Sequence, residues 1–193
     1  YIKIPKKAIE RKHMIKVPDG VSAEVASVAE PVACAINAQN FLNIGKGDNV
    51  LIYGAGYLGC IHAELAFIKG AGKVIIGEVS ENAGRLVPNA HVIDTKDAGY
   101  VELIKNIVGT DGVDVVITAC PAGITHKQGV ELLSNNGRIS LFGGLPGDNN
   151  FHIDSNLVHY KELGVFGAHA STVMQNKEAL ELIANGKLNV EKY

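Results

Sequence analysis

Apolar residues occur along the chain in short runs separated by polar, glycine-containing breaks, and the runs are of two kinds. One kind is short, continuous and rich in Val and Ile: 49–53, 73–78, 91–93, 113–118, 137–142 and 163–168. These runs have no polar face, so each is predicted to be a strand covered on both sides, as a parallel sheet requires. The other kind repeats its apolar positions at helical spacing, over 58–69, 101–108, 125–133, 155–160 and 172–185. The last of these is followed by Gly186, a residue suited to the left-handed position that ends a helix. Strand and helix alternate throughout. That order predicts an α/β fold with a doubly wound, six-stranded parallel sheet in the strand order 3-2-1-4-5-6.

Upstream of residue 30 the alternation is absent. Lys3, Lys6, Lys7, Arg11, Lys12 and Lys16 form a basic, mixed stretch expected to be a solvated edge, and Val17-Pro18-Asp19-Gly20 is a turn signal. A small-residue helical stretch covers 23–29. Pro31 is expected at the first position of a helix continuing over 32–41, and Gly45-Lys46-Gly47-Asp48 breaks it. The expected division is therefore 1–29 as a linker or remnant of a preceding domain and 30–193 as the α/β domain. With Tyr1 rather than Met in first place, the chain is expected to begin inside a longer protein, and 190–193 reads as the start of a further element.

Composition narrows the class. With 193 residues, 47% hydrophobic, 20% charged and a net charge of −2, the chain has an ordinary globular make-up and no basic excess for a nucleic acid or an anionic membrane. No apolar run reaches membrane-spanning length, and no signal peptide is visible. Cys34, Cys60 and Cys120 lie far apart without a CxxC pair, which argues against a disulfide framework or a structural zinc site and favours a reducing cytoplasm. Cys34 reads, like Cys60 and Cys120, as a small core hydrophobe.

The first strand runs directly into Gly54-Ala55-Gly56-Tyr57-Leu58-Gly59, which opens the next helix. A GxGxxG spacing alone is weak evidence in a chain with 22 glycines, but the strand–turn–helix context is the one its chemistry needs. Gly54 permits the tight turn, Gly56 lets a pyrophosphate approach the backbone, and Gly59 lets the helix pack closely on the strand. Free N–H groups at the start of the helix, with Tyr57 and Leu58 among them, then hold the phosphates. Glu78 lies 19 residues beyond Gly59 at the end of the second strand, where a carboxylate can accept from both ribose hydroxyls. It would repel a 2′-phosphate. Val79 and Ser80 follow it in place of the small residue and Arg of an NADP site, so NAD is the expected cofactor.

Several pieces, in order, resemble the zinc-dependent medium-chain dehydrogenases, in particular the sorbitol, threonine and alcohol dehydrogenase branch. Val17-Pro18-Asp19-Gly20 is similar to that family's VPDxxS segment. The stretch 29–38 is similar to its EPLxxxxHA helix, Gly45–Ile52 and the glycine motif follow in register, and 179–188 is similar to its ALELIxxGK helix. The resemblance implies a Rossmann domain that binds NAD in an oxidoreductase passing hydride between a secondary alcohol or polyol and the cofactor. It implies that 1–29 is the remnant of a GroES-like catalytic domain. It also implies that Glu30 approaches the catalytic zinc, whose remaining ligands, a Cys and a Gly-His-Glu pair, belong to that domain. On residues alone, Glu30 reads instead as an acid favoured by a helix N-terminus. A zinc ion needs about three protein ligands, so this chain is expected to hold none and to be inactive alone. The resemblance further places Thr118, Ala119 and Cys120 beside adenine and nicotinamide, Phe142, Gly143, Phe166 and Gly167 at the nicotinamide ring, and a homodimer or tetramer contact along 163–168. The segment 80–90 is shorter than in the family, which leaves an adenine contact by Arg85 open.

Other readings use part of the same pattern. An S-adenosylmethionine-dependent methyltransferase also has a Gly-rich βα turn and a strand-two acid, and a non-catalytic NAD-binding redox sensor needs no second domain. A zinc-free quinone or enoyl reductase would lack an acid such as Glu30 before Pro31. The seven histidines are scattered without a zinc-binding helical pair. His62 is expected to be packing or surface on the first helix of the alternation, and His169 is the one nearest the expected cofactor cleft.

Overall fold

The computed structural model describes residues 2–80, 87–147 and 152–193. Along the chain run α1 (Lys6–Glu10), α2 (Ala23–Ala26), α3 (Ala29–Leu42), β1 (Asn49–Tyr53), α4 (Tyr57–Ile68), β2 (Lys73–Glu78), β3 (His91–Asp94), α5 (Tyr100–Val108), β4 (Val113–Thr118), α6 (Ile124–Leu132), β5 (Leu133–Leu141), α7 (Ser155–Tyr160), β6 (Gly164–Gly167) and α8 (Val173–Ala184). The strands form a single six-stranded sheet in the order β3-β2-β1-β4-β5-β6, and every pairing is parallel. This is the expected doubly wound topology. Among the described residues no helix is long and apolar enough to cross a membrane.

The alternation of side chains along each central strand divides the core between the two faces of the sheet. Leu51 and Tyr53 of β1, Ile75 of β2 and Val116 of β4 point to one face, where Ile104 and Val108 of α5 and Val130 of α6 cover them. Val50 and Ile52, Val74 and Ile76, and Val115 and Ile117 point to the other, against Cys60, Ala63 and Ala66 of α4 and Leu42 of α3. All of the β1 and β4 residues named here are at most 1% exposed, which is why these runs lack a polar face in the sequence. A third cluster joins α3, α4 and α8 through Ile36, Ile61, Leu65, Leu180 and Ile183, and Ile15, Val21, Val25 and Val28 pack against it from the upstream segment.

Apart from one-residue shifts at element ends, four features differ from the sequence-based expectation. The basic stretch contains a short helix, α1, with no buried residue. The stretch 23–29 is divided by Val28 at φ −91°, ψ 3°, so α2 ends at Ala26 and α3 begins at Ala29. Pro31 is thus the third helical residue rather than the first. It is tolerated because the first four N–H groups of a helix have no intrahelical acceptor in any case. Finally, β5 begins at Leu133 and not at Gly137. Leu133 pairs with Val113, the register then shifts, and pairing resumes at Arg138 with Val115. Asn136 lies within the extra residues at φ +60°, and its N–H leaves the ladder to donate to Lys161 O at 2.7 Å. At the other end of the domain, α8 closes as expected. Gly186 takes φ +66°, its N–H reaches Ile183 O, and Lys187 N reaches Leu182 O, a Schellman arrangement.

Candidate functional site

The strand order reverses between β1 and β4, and the carboxyl ends of these strands open a crevice where doubly wound sheets take ligands. β1 ends at Tyr53, and the chain turns through Gly54 at φ +101°, a conformation that disfavours any L side chain. The turn is fixed from both sides. Gly54 N donates to Gly77 O of β2 at 2.8 Å, and Ala119 N donates to Tyr53 O at 2.8 Å. A Cβ on Gly54 would lie 3.0 Å from Ala119 O and 3.1 Å from Cys120 Cβ, so the loop after β4 closes directly on the glycine.

Gly56 and Gly59 differ in kind. Gly56 is the N-cap of α4 and is exposed, and among the described residues nothing lies within 4 Å of where its Cβ would be. Space therefore lies open in front of the N–H groups that begin α4, which carry the positive end of the helix dipole and no side-chain cap. A Cβ on Gly59, in contrast, would fall 1.9 Å from Gly54 O. Tyr57 and Leu58 are half-buried at the helix start.

Glu78, the last residue of β2, reaches the same turn. Its Oε2 accepts from Ala55 N at 2.7 Å, and its Oε1 accepts from Val79 N at 2.7 Å and from Ser80 N at 3.2 Å. The acid and the glycine turn, 23 residues apart, are thus one hydrogen-bonded unit. A cleft of about 360 Å³ lies beside them, lined by Gly54, Glu78, Val79, Cys120, Thr95 and Thr125 among others. An adenosine group would find apolar walls there, with the Glu78 carboxylate at the rim. Neither Thr95 nor Gly77 was singled out by the sequence pattern. The signal for Gly77 is a glycine inside an apolar strand: a Cβ there would meet Thr95 Cγ2 at 2.8 Å.

Of the residues expected beside the nicotinamide half, Cys120 lines that cleft, whereas Thr118, Phe142, Gly143, Phe166 and Gly167 lie at the same end of the sheet but outside it. Thr118 is buried at the end of β4, where its Oγ1 donates to Ser140 O at 3.3 Å. Gly143 N donates to Thr118 O at 2.6 Å, and a Cβ on Gly143 would lie 2.5 Å from Cys120 O. The turn after β5 is therefore pressed against the loop after β4. Phe142 turns its ring inward, edge to face with His62 at 4.5 Å between centroids. Phe166 pairs with Ser140 across β5 and β6, and its ring folds back to stack on Phe41 at 6.2 Å. Gly167 is exposed. Arg85 lies outside the described residues.

Glu30 stands apart from this constellation. It is exposed in the first turn of α3, and its Oε1 accepts from Cys34 Sγ at 3.1 Å, one turn along. Cys34 is thus not the core hydrophobe expected from the sequence. It is partly exposed, and its thiol pKa is pushed up by partial burial and by the bond to Glu30. Among the described residues no group of three His, Cys, Asp or Glu side chains is arranged to hold a metal ion. One carboxylate and one thiol do not make a zinc site, so no metal chemistry is assigned to this chain. His62 is fully buried, as packing, and His169 is exposed beyond β6.

Comparison with known proteins agrees with this fold. The family model described as zinc-binding dehydrogenase matches residues 58–185. Sorbitol dehydrogenase of Halalkalibacterium halodurans is 31% identical over 91% of this chain and 52% of its own length, and L-threonine 3-dehydrogenase of Pyrococcus furiosus is 30% identical over 95% and 53%. Among solved structures, an alcohol dehydrogenase from Thermus sp. ATN1 superposes with a TM-score of 0.82 at 26% identity, covering 92% of this chain and 52% of that one. A zinc-binding dehydrogenase from Sinorhizobium meliloti, solved bound to NADP, gives 0.81 at 26% identity, covering 91% and 52%. The chain spans about half the length of the relatives it matches. With the family model matching most of the chain, the fold in the family's strand order and the glycine turn at its switch point, this chain belongs to the zinc-dependent medium-chain dehydrogenase family, as its cofactor-binding domain.

Proposed function

We propose that the chain binds NAD at the β1–α4 turn and serves an oxidoreductase that moves hydride between the nicotinamide and a secondary alcohol or polyol. The observation that carries this reading is the Glu78–Ala55 bond, which holds the strand-end carboxylate beside a positively polarised helix start. The diphosphate takes the N–H groups around Gly56, Tyr57 and Leu58. The adenosine ribose takes Glu78, whose charge repels a 2′-phosphate and so favours NAD over NADP. Thr118, Ala119 and Cys120 run from adenine towards nicotinamide, and Phe142, Gly143, Phe166 and Gly167 offer backbone groups to the ring. NAD supplies the hydride acceptor. Glu30 faces outward, towards whatever completes a zinc site in the whole protein. We further propose a homodimer across β6, an edge strand on which Val165 is 38% exposed, in a reducing cytoplasm that suits three free cysteines.

Calorimetric titration of this chain with NADH, NADPH and S-adenosylmethionine tests the reading. NADH is expected to bind at least tenfold more tightly than NADPH, with no binding of S-adenosylmethionine. Preference for S-adenosylmethionine, or no binding of either dinucleotide, would overturn it. Alcohol-dependent NADH production by this chain alone is not expected.

A further inference from the structure

His62 lies within α4 at 0% exposure, and the candidate site makes no use of it. Its backbone carbonyl accepts from Gln39 Nε2 of α3 at 2.7 Å, and its ring Nδ1 lies 3.3 Å from the same nitrogen. The first bond orients the amide, because a nitrogen and not an oxygen must face a carbonyl. The same NH₂ then points at Nδ1, which must accept, so the ring proton is on Nε2. Burial keeps the ring neutral, its pKa pushed down to about 3. Among the described residues His62 Nε2 and Gln39 Oε1 find no hydrogen-bond partner, a cost that an aliphatic pair at these positions would avoid.

What the imidazole provides is a directional contact. Its plane stands at 86° to the Phe142 ring, with centroids 4.5 Å apart. Phe142 immediately precedes Gly143, whose N–H and missing Cβ fix it against Thr118 and Cys120. The side chain of Phe142 is a further anchor of this turn, packed against the core on the α4 face of the sheet. We propose that His62 is a positioning residue for the nicotinamide half of the cofactor: an imidazole oriented by Gln39 seats Phe142, and Phe142 sets the backbone against which the nicotinamide ring lies. This rests on the reading of residues 142–143 given above.

ADP-ribose carries the adenosine, diphosphate and second ribose of NADH without the nicotinamide, so comparing the two ligands separates this role from folding. Wild type, His62→Asn and His62→Phe are titrated with both, and melting curves report folding. Asn keeps an acceptor for Gln39 and removes the ring, whereas Phe keeps an aromatic edge. His62→Asn is expected to weaken NADH roughly tenfold while ADP-ribose stays within about twofold, and His62→Phe to recover NADH to within about threefold. In the wild type, which needs no variant to fold, the Gly143 amide and His62 Nε2–H resonances are expected to shift with NADH and not with ADP-ribose. Equal loss of both ligands in a folded Asn variant, unchanged NADH affinity, or resonances that respond alike to the two ligands would overturn the proposal. A wild type that binds both ligands with no dependence on His62 removes this inference alone. A wild type that binds neither removes the cofactor reading and this inference with it.

Discussion

A Cβ on Gly59 would lie 1.9 Å from the carbonyl oxygen of Gly54, whereas one on Gly56, three residues earlier, would meet nothing within 4 Å among the described residues. Two glycines of one motif therefore answer to different demands. Gly59 lets the helix rest on the turn, and Gly56 leaves room in front of it. Gly59→Ala is predicted to destabilise the domain by about 3 kcal/mol or more, because the colliding atom belongs to the backbone and no rotamer relieves it. Gly56 has φ −66° and ψ 179°, which any residue adopts. Gly56→Ala should therefore change stability by less than about 1 kcal/mol and lower NADH affinity through the occupied space. Chemical denaturation and NADH titration of both variants check the contrast.

Glu78 accepts three backbone N–H bonds, and the one from Ala55 links β2 to the glycine turn. Glu78→Ala is predicted to weaken NADH by about tenfold, near 1.4 kcal/mol, and to bring NADPH closer to NADH, since the charge opposing a 2′-phosphate is gone. The ratio of the two dissociation constants is the quantity to measure. A ratio unchanged by the substitution would remove Glu78 from cofactor selection.

The sheet and the glycine turn were legible in the sequence for the same reason: their signals are local. A strand buried on both faces must be apolar at every position, as Val50–Tyr53 is, and a turn at positive φ followed by a close helix demands glycines at fixed spacing, as Gly54 and Gly59 show. The start of β5 was hidden because Leu133 is followed by a polar bulge, with Asn136 at φ +60°, that reads as a loop. α1 was hidden because it buries nothing and so has no apolar stripe. Thr95 and Gln39 reach their partners only through the tertiary fold, and a buried polar residue such as His62 looks in sequence like any exposed one.

The buried histidine also predicts an acid limb in the stability curve. Its pKa falls from an ordinary value near 6.5 when unfolded to about 3 when folded, so between those values the unfolded chain binds the extra proton. Stability is therefore full above about pH 6.5 and is lost as pH falls towards 3, with a slope approaching about 1.4 kcal/mol per pH unit for one such group. His126, lowered in the same direction by burial, adds to it. His62→Phe should flatten this limb by about one proton. Urea unfolding across pH 4–7 measures the slope.

Asn37 ties α3 to the segment after β6: its Nδ2 donates to Ala170 O at 3.0 Å, and its Oδ1 accepts from Gln175 Nε2 at 2.9 Å. Ala170 is held at φ +59°, a strained value for a residue with a Cβ. Asn37→Ala is predicted to lower stability by about 1–2 kcal/mol. Ala170→Gly, which relieves the strain, should leave stability equal or higher.

At the sheet edge, β6 presents Val165 to solvent. If two chains pair there, Val165→Lys should convert a dimer into a monomer without unfolding it, as light scattering would show. A wild type that is monomeric at high concentration would remove the edge-pairing proposal.

The central claim is that backbone N–H groups at the start of α4 hold a diphosphate while Glu78 holds the adjoining ribose. A crystal structure of the chain with NADH tests it most directly. The account predicts phosphate oxygens within hydrogen-bonding distance of the N–H groups beside Gly56, and Glu78 accepting from the adenosine ribose. NADH bound with its diphosphate away from that turn, or with Glu78 making no contact to the nucleotide, would contradict it.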